Sequence, residues 1–139
     1  MSQSVFLFLL YMDVCIGVAF YSYVFRMRRF IGFQLGMNIS LLMGGMAAIL
    51  SGVLLIVQYP FHYTLITILS TLIGAAVGAL FGLVFDDQTF MTGWTNGMMI
   101  GLMAPMIGTV VEGMDLFILF IHVLLVMSVW LMYISVKRS

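Results

Sequence analysis

Two side chains lie where water does not reach. Asp13 sits within VFLFLLYMDVCIGVAFYSYVF, and His122 within LFILFIHVLLVMSVWLMYISV. An ionisable group at the centre of a bilayer costs roughly 2.5–3.5 kcal/mol on insertion scales, so it is rare there and marks a partner or a task. Asp13 lies eight residues into its run, about 12 Å at helical rise. His122 lies six residues into its own run, about 9 Å. If both runs enter the membrane from one side, the depths match and a proton-sharing Asp13–His122 pair is expected. It would serve as a proton relay or cation site, or it would simply fix the helix arrangement. A third reading gives each residue its own backbone carbonyl or headgroup.

Methionine is the second chemical signal. TNGMMIGLMAPM, residues 95–106, holds four. Thioether sulfur is a soft ligand that selects copper(I) over harder ions. It is also a flexible filler of irregular apolar space. At 100° per residue, Met99, Met103 and Met106 share one stripe with Thr92, Thr95 and Asn96, which predicts an interior or pore-lining face. LMGGM at 42–46 resembles LMAPM at 102–106, an offset of 60. An internal parallel repeat would put Met43 level with Met103 and Asn38 level with Asn96. Met43, Met46, Met99, Met103 and Met106 are therefore candidate soft-metal ligands. Asp13, His122, Asn38, Thr95 and Asn96 are candidate polar transport residues.

Other chemistry is sparse. Glu112 and Asp115 could form an acidic mouth above His122, or a solvated turn with Asp115 as a helix cap. Asp86 and Asp87 read as a solvated turn, and His62 as an interfacial residue between Tyr59 and Tyr63. Cys15 is the only cysteine, so an internal disulfide is excluded. No HExxH, GxSxG, Walker loop or paired-cysteine site occurs, so an enzyme is not expected. No basic patch suggests nucleic acid.

These residues must be held by membrane helices. The chain has 139 residues, 64% apolar and 7% charged, and a mean hydropathy of +1.23. A soluble domain carries roughly 25% charge. The first ten residues lack the basic region of a cleaved signal peptide. Five runs are long enough to cross a bilayer: 5–25, 33–57, 64–85, 91–111 and 116–136. The expected fold is a single all-α membrane domain of five transmembrane helices. All five basic residues, Arg26, Arg28, Arg29, Lys137 and Arg138, then fall on one side. The positive-inside rule makes that side cytoplasmic, with the N-terminus outside and the C-terminus inside. A bacterial inner membrane is the simplest location.

Glycines at spacing four, Gly74, Gly78 and Gly82 in the third run and Gly93, Gly97 and Gly101 in the fourth, predict close helix contacts of the glycine-zipper type. These faces would meet each other or grip another subunit. Pro105 removes an N–H from the fourth helix and predicts a kink that frees a carbonyl near Met103 and Met106. Two functions follow as expectations. One is transport of a small cation, with copper(I) as the soft-metal candidate, by a homo-oligomer. The other is a non-catalytic accessory subunit docked to another membrane protein through its glycine faces.

Overall fold

A computed structural model describes residues 3–111 and 114–138 of the chain. They form five α-helices: α1 (Gln3–Met27), α2 (Phe33–Gln58), α3 (Tyr63–Leu83), α4 (Asp87–Val110) and α5 (Met114–Arg138). A 3-10 turn, Arg28–Phe30, follows α1. No strand occurs among the described residues. Boundaries follow local chemistry. Pro60 stands between α2 and α3, and the last turn of α2 closes with the Tyr59 N–H on the Leu55 carbonyl. α4 starts four residues before the expected 91 because Asp86 caps it. The Asp86 carboxylate accepts the Thr89 N–H at 2.7 Å, which satisfies one of the donors a helix start leaves free. That hydrogen bond also holds the carboxyl of Asp86 below the usual range.

The helices are 21–26 residues long, roughly 32–39 Å, against about 30 Å of hydrocarbon. α1, α2, α3 and α5 are long and apolar enough to cross a membrane. α4 has the length but is less apolar, since Gln88, Thr89, Thr92, Thr95 and Asn96 crowd its first half. Five spans were expected; by length and composition together, four qualify.

The centre is a three-helix unit of α2, α3 and α4, built on absent side chains. A Cβ at Gly78 would overlap the Gly93 backbone, and one at Gly97 the Gly74 carbonyl. At Gly101 it would lie 2.5 Å from the Thr71 Cα, and at Gly82 2.5 Å from the Phe90 Cα. The glycine faces of α3 and α4 thus meet each other inside the chain. Small residues of α2 complete the junction: Gly44 lies against Gly78 and Gly52 against Ala104 and Pro105. Ser40 places its hydroxyl 2.9 Å from the Gly78 carbonyl and 3.3 Å from that of Thr89, tying three helices at one point.

These contacts fix the directions. α3 runs antiparallel to both α2 and α4, which are parallel to each other. α1 and α5 lie outside this unit and run parallel, linked by Asp13–His122 and by the Tyr23–Tyr133 rings at 5.1 Å. One apolar cluster, with Phe6, Leu50, Val53 and Ile118, fills one half of the bundle. A second, with Val24, Ile39, Phe81 and Val136, fills the other. Arg26, Arg28, Arg29, Lys137 and Arg138 all fall at the second end.

The parallel pair α2 and α4 meets with Gly45 against Asn96 and Ile100, and Gly52 against Ala104. The register is therefore near 52 rather than 60. Met103 stands level with Ser51, about two helical turns from Met43, and Asn38 and Asn96 differ by a similar step. The likeness of LMGGM and LMAPM does not correspond to matching depth.

Candidate functional site

Asp13 and His122 meet. His122 is buried, and its Nδ1 lies 2.8 Å from the carbonyl oxygen of Ile118 one turn earlier. A carbonyl only accepts, so Nδ1 carries a hydrogen and donates it. Nε2 lies 3.1 Å from Oδ1 and 3.2 Å from Oδ2 of Asp13. One proton fits that contact. Held on Nε2, it gives an imidazolium facing a carboxylate. Held on the carboxyl, it is donated back to Nε2. Both arrangements are neutral overall, which is the form a hydrocarbon surround tolerates. The hydrogen bond joins Nε2 and Oδ2, while the buried Oδ1 has none.

Asp13 also lines a cavity of about 370 Å³. α1 contributes Asp13, Gly17 and Tyr21 to its wall; α2 contributes Met43, Met46, Ala47 and Ser51; α3 contributes Ile73, Val77 and Phe81; and Leu125 comes from α5. Among the described residues, Asp13 is the one acidic or basic side chain on this wall. Ser51 donates its hydroxyl to its own helix, at the Ala48 carbonyl. Gly17, Ala47 and Ser51 leave part of the space unfilled: a Cβ at Gly17 would meet nothing within 4 Å. Val14 and Val18 of α1 and Leu80 of α3 line the cavity and are also exposed. It therefore opens sideways, between α1 and α3.

The methionine stripe points the other way. Met99, Met103 and Met106 are each exposed over more than half their surface, on the outward face of α4. The expectation of a face interior to the chain is corrected. α4 buries its glycine stripe, and the opposite stripe is left outside. Met43 and Met46 are buried beyond α2, on the cavity side. One chain thus does not gather the five methionines. Among the described residues, no group of three or more His, Cys, Asp or Glu converges as metal ligands.

The remaining candidates also separate. Asn96 donates its amide to the Leu41 carbonyl at 2.8 Å and ties α4 to α2. Thr95 and Asn38 are exposed, as are Cys15 and His62. His62 packs edge-on to Tyr59, at the end of the bundle away from the arginines. Asp115 is exposed in the first turn of α5. Glu112 lies outside the described residues.

Pro105 frees a carbonyl, but not toward the methionines. The carbonyl four residues back belongs to Gly101, and the Ser70 hydroxyl of α3 donates to it at 2.7 Å. α4 stays helical through Pro105, which is fully buried against Gly52. Neither Ser70 nor the cavity is among the features expected from the sequence. Ser70 lies four residues before Gly74, on the glycine face of α3, and that spacing was the available signal. No family model, curated protein or solved structure matches the chain.

Proposed function

We propose that the chain is a small membrane transport protein for a cation, in which the Asp13–His122 pair exchanges its shared proton for the cargo. One observation carries this: among the described residues, the carboxyl of a proton-sharing pair is the one acidic group on a cavity that opens sideways among the helices. Removing the proton leaves Asp13 anionic and His122 neutral through its Nδ1 hydrogen. A monovalent cation then restores neutrality.

In this reading all five helices cross the membrane, α4 included, because it runs alongside α2 and α3. The glycine faces work as a zipper that holds the three-helix unit. The arginine-rich end faces the cytoplasm and the N-terminus lies outside, in a bacterial inner membrane. No enzymatic step is assigned. Copper(I) is a candidate cargo through Met43 and Met46, which share the cavity with Asp13. The outward Met99, Met103 and Met106 would ligate copper only if a second copy completed the set.

A second reading has its own observation. α4 is the least apolar helix, yet it exposes Thr95, Met99 and Met103. A homo-oligomer or a partner membrane protein covering that face would make the chain an accessory subunit. Its glycine faces are already occupied within the chain, so docking would use the methionine face instead.

The test is proton counterflow. Protein in liposomes with an entrapped pH dye is given inward gradients of sodium, potassium, copper(I) and an organic cation in turn. Exchange predicts interior acid loss that tracks the cation gradient and vanishes in Asp13→Asn. Equal traces from the variant and the wild-type protein for every cation would reject it. Replacing Met99, Met103 and Met106 together by leucine should leave exchange unchanged.

A further inference from the structure

We infer that the cargo of this cavity is a lipophilic monovalent cation, an apolar body with one positive charge, taken up from within the bilayer. This rests on the exchange reading above and narrows its substrate class. A volume of about 370 Å³ falls in the roughly 300–1,000 Å³ range of ligand pockets. It is far more than a bare ion needs. A hard cation must replace its water shell with several oxygens. The cavity wall offers the Asp13 carboxyl and a Ser51 hydroxyl turned to its own backbone. The rest of the wall is apolar except for the Tyr21 hydroxyl.

That wall suits an organic body. Tyr21 and Phe81 meet edge to face, with ring centroids 5.2 Å apart, and both line the space. Aromatic faces attract a desolvated organic cation in addition to the carboxylate. The mouth between α1 and α3 is bordered by Val14, Val18 and Leu80, which an apolar solute dissolved in lipid can pass. A hydrated ion would find no polar step on that route.

Charge balances at each stage. Before uptake, Asp13 and His122 share one proton and are neutral together. On uptake, that proton leaves, Asp13 is a carboxylate beside the cation, and His122 is neutral. One proton is released per monovalent cation. Among the described residues, Tyr21 is the only other titratable side chain on the cavity wall.

Tetraphenylphosphonium is the probe, added to purified full-length protein in detergent with weak buffer and a pH indicator. The expected result is saturable binding with one proton released per cation. Asp13→Asn should abolish the release and weaken binding at least tenfold. Gly17→Leu reaches into the space from a position where a Cβ meets nothing within 4 Å, and it should weaken binding at least tenfold while keeping the thermal transition. Tetraphenylborate, equal in shape and opposite in charge, should release no proton. If tetraphenylborate and tetraphenylphosphonium bind alike and Asp13→Asn changes nothing, the inference falls as mere partitioning. If sodium, potassium or copper(I) releases the Asp13 proton and tetraphenylphosphonium does not, the inference falls and the exchange reading stands. If no cation releases a proton, both fall.

Discussion

Gly101→Ala is expected to destabilise the bundle by about 0.6–4 kcal/mol. Its Cβ would lie 2.5 Å from the Thr71 Cα, 2.6 Å from the Ser70 carbonyl oxygen and 2.8 Å from the Thr71 nitrogen. All three atoms are backbone, so no rotamer change relieves them. Ordinary contact begins near 3.4 Å, so α3 and α4 must separate by about 1 Å. Overpacking of this kind costs about 1–3 kcal/mol. The same separation stretches the 2.7 Å bond from Ser70 to the Gly101 carbonyl, adding about 0.6–2 kcal/mol in a membrane protein. Alanine returns about 1 kcal/mol of helix propensity. Gly17→Ala is the matched control. It gains the same propensity and meets nothing within 4 Å, so it should be neutral or slightly stabilising. Reversible unfolding in mixed micelles measures both variants. If Gly101→Ala lies within about 0.5 kcal/mol of the wild-type protein, the close approach of α3 and α4 is wrong.

Two more outcomes follow from single contacts. Ser70→Ala should cost about 1–2 kcal/mol by leaving the Gly101 carbonyl without its hydroxyl, and it should cost less in a Pro105→Ala background, where residue 105 regains an N–H for that carbonyl. A double-mutant cycle by unfolding reads the difference; equal costs in both backgrounds would detach Ser70 from Pro105. Asp86, whose carboxyl is held below its ordinary value of 3.8 by the Thr89 N–H, should cap α4 fully above about pH 4 and lose the cap as pH falls through its lowered folded value. Hydrogen exchange at the Thr89 amide should therefore lose protection on acidification, and Asp86→Asn should remove that pH dependence.

Much of the scaffold could be read from the sequence, because turns carry chemistry that apolar runs lack. The expected 33–57 matches α2 within a residue at its end. The start of α4 was misplaced because a polar first turn lowers hydropathy while Asp86 strengthens the helix. Asp13 and His122 were legible as a pair from depth alone, since an ionisable group in hydrocarbon has few partners. The methionine stripe was placed on the wrong side for a general reason. In a soluble protein polarity separates inside from outside, but lipid and the interior of a bundle are equally apolar. Helical spacing divided α4 into a glycine face and a methionine face, and only packing decided which was buried. The cavity was illegible because it depends on what Gly17 and Ala47 leave unfilled, which no single helix records.

The two members of the Asp13–His122 pair stand 109 residues apart in the chain. At synthesis rates of about 5–20 residues per second, the ribosome needs roughly 5–20 s to pass from one to the other. α1 therefore enters the bilayer long before α5 exists, and during that interval Asp13 has no histidine. A carboxyl alone in hydrocarbon stays neutral by keeping its proton. Nascent α1 has little else to hold it, since Phe6, Phe20 and Val24 are its only buried residues. Arrival of α5 is the event that fastens the first helix made, so a chain truncated before His122 should leave α1 detached from a three-helix unit already closed.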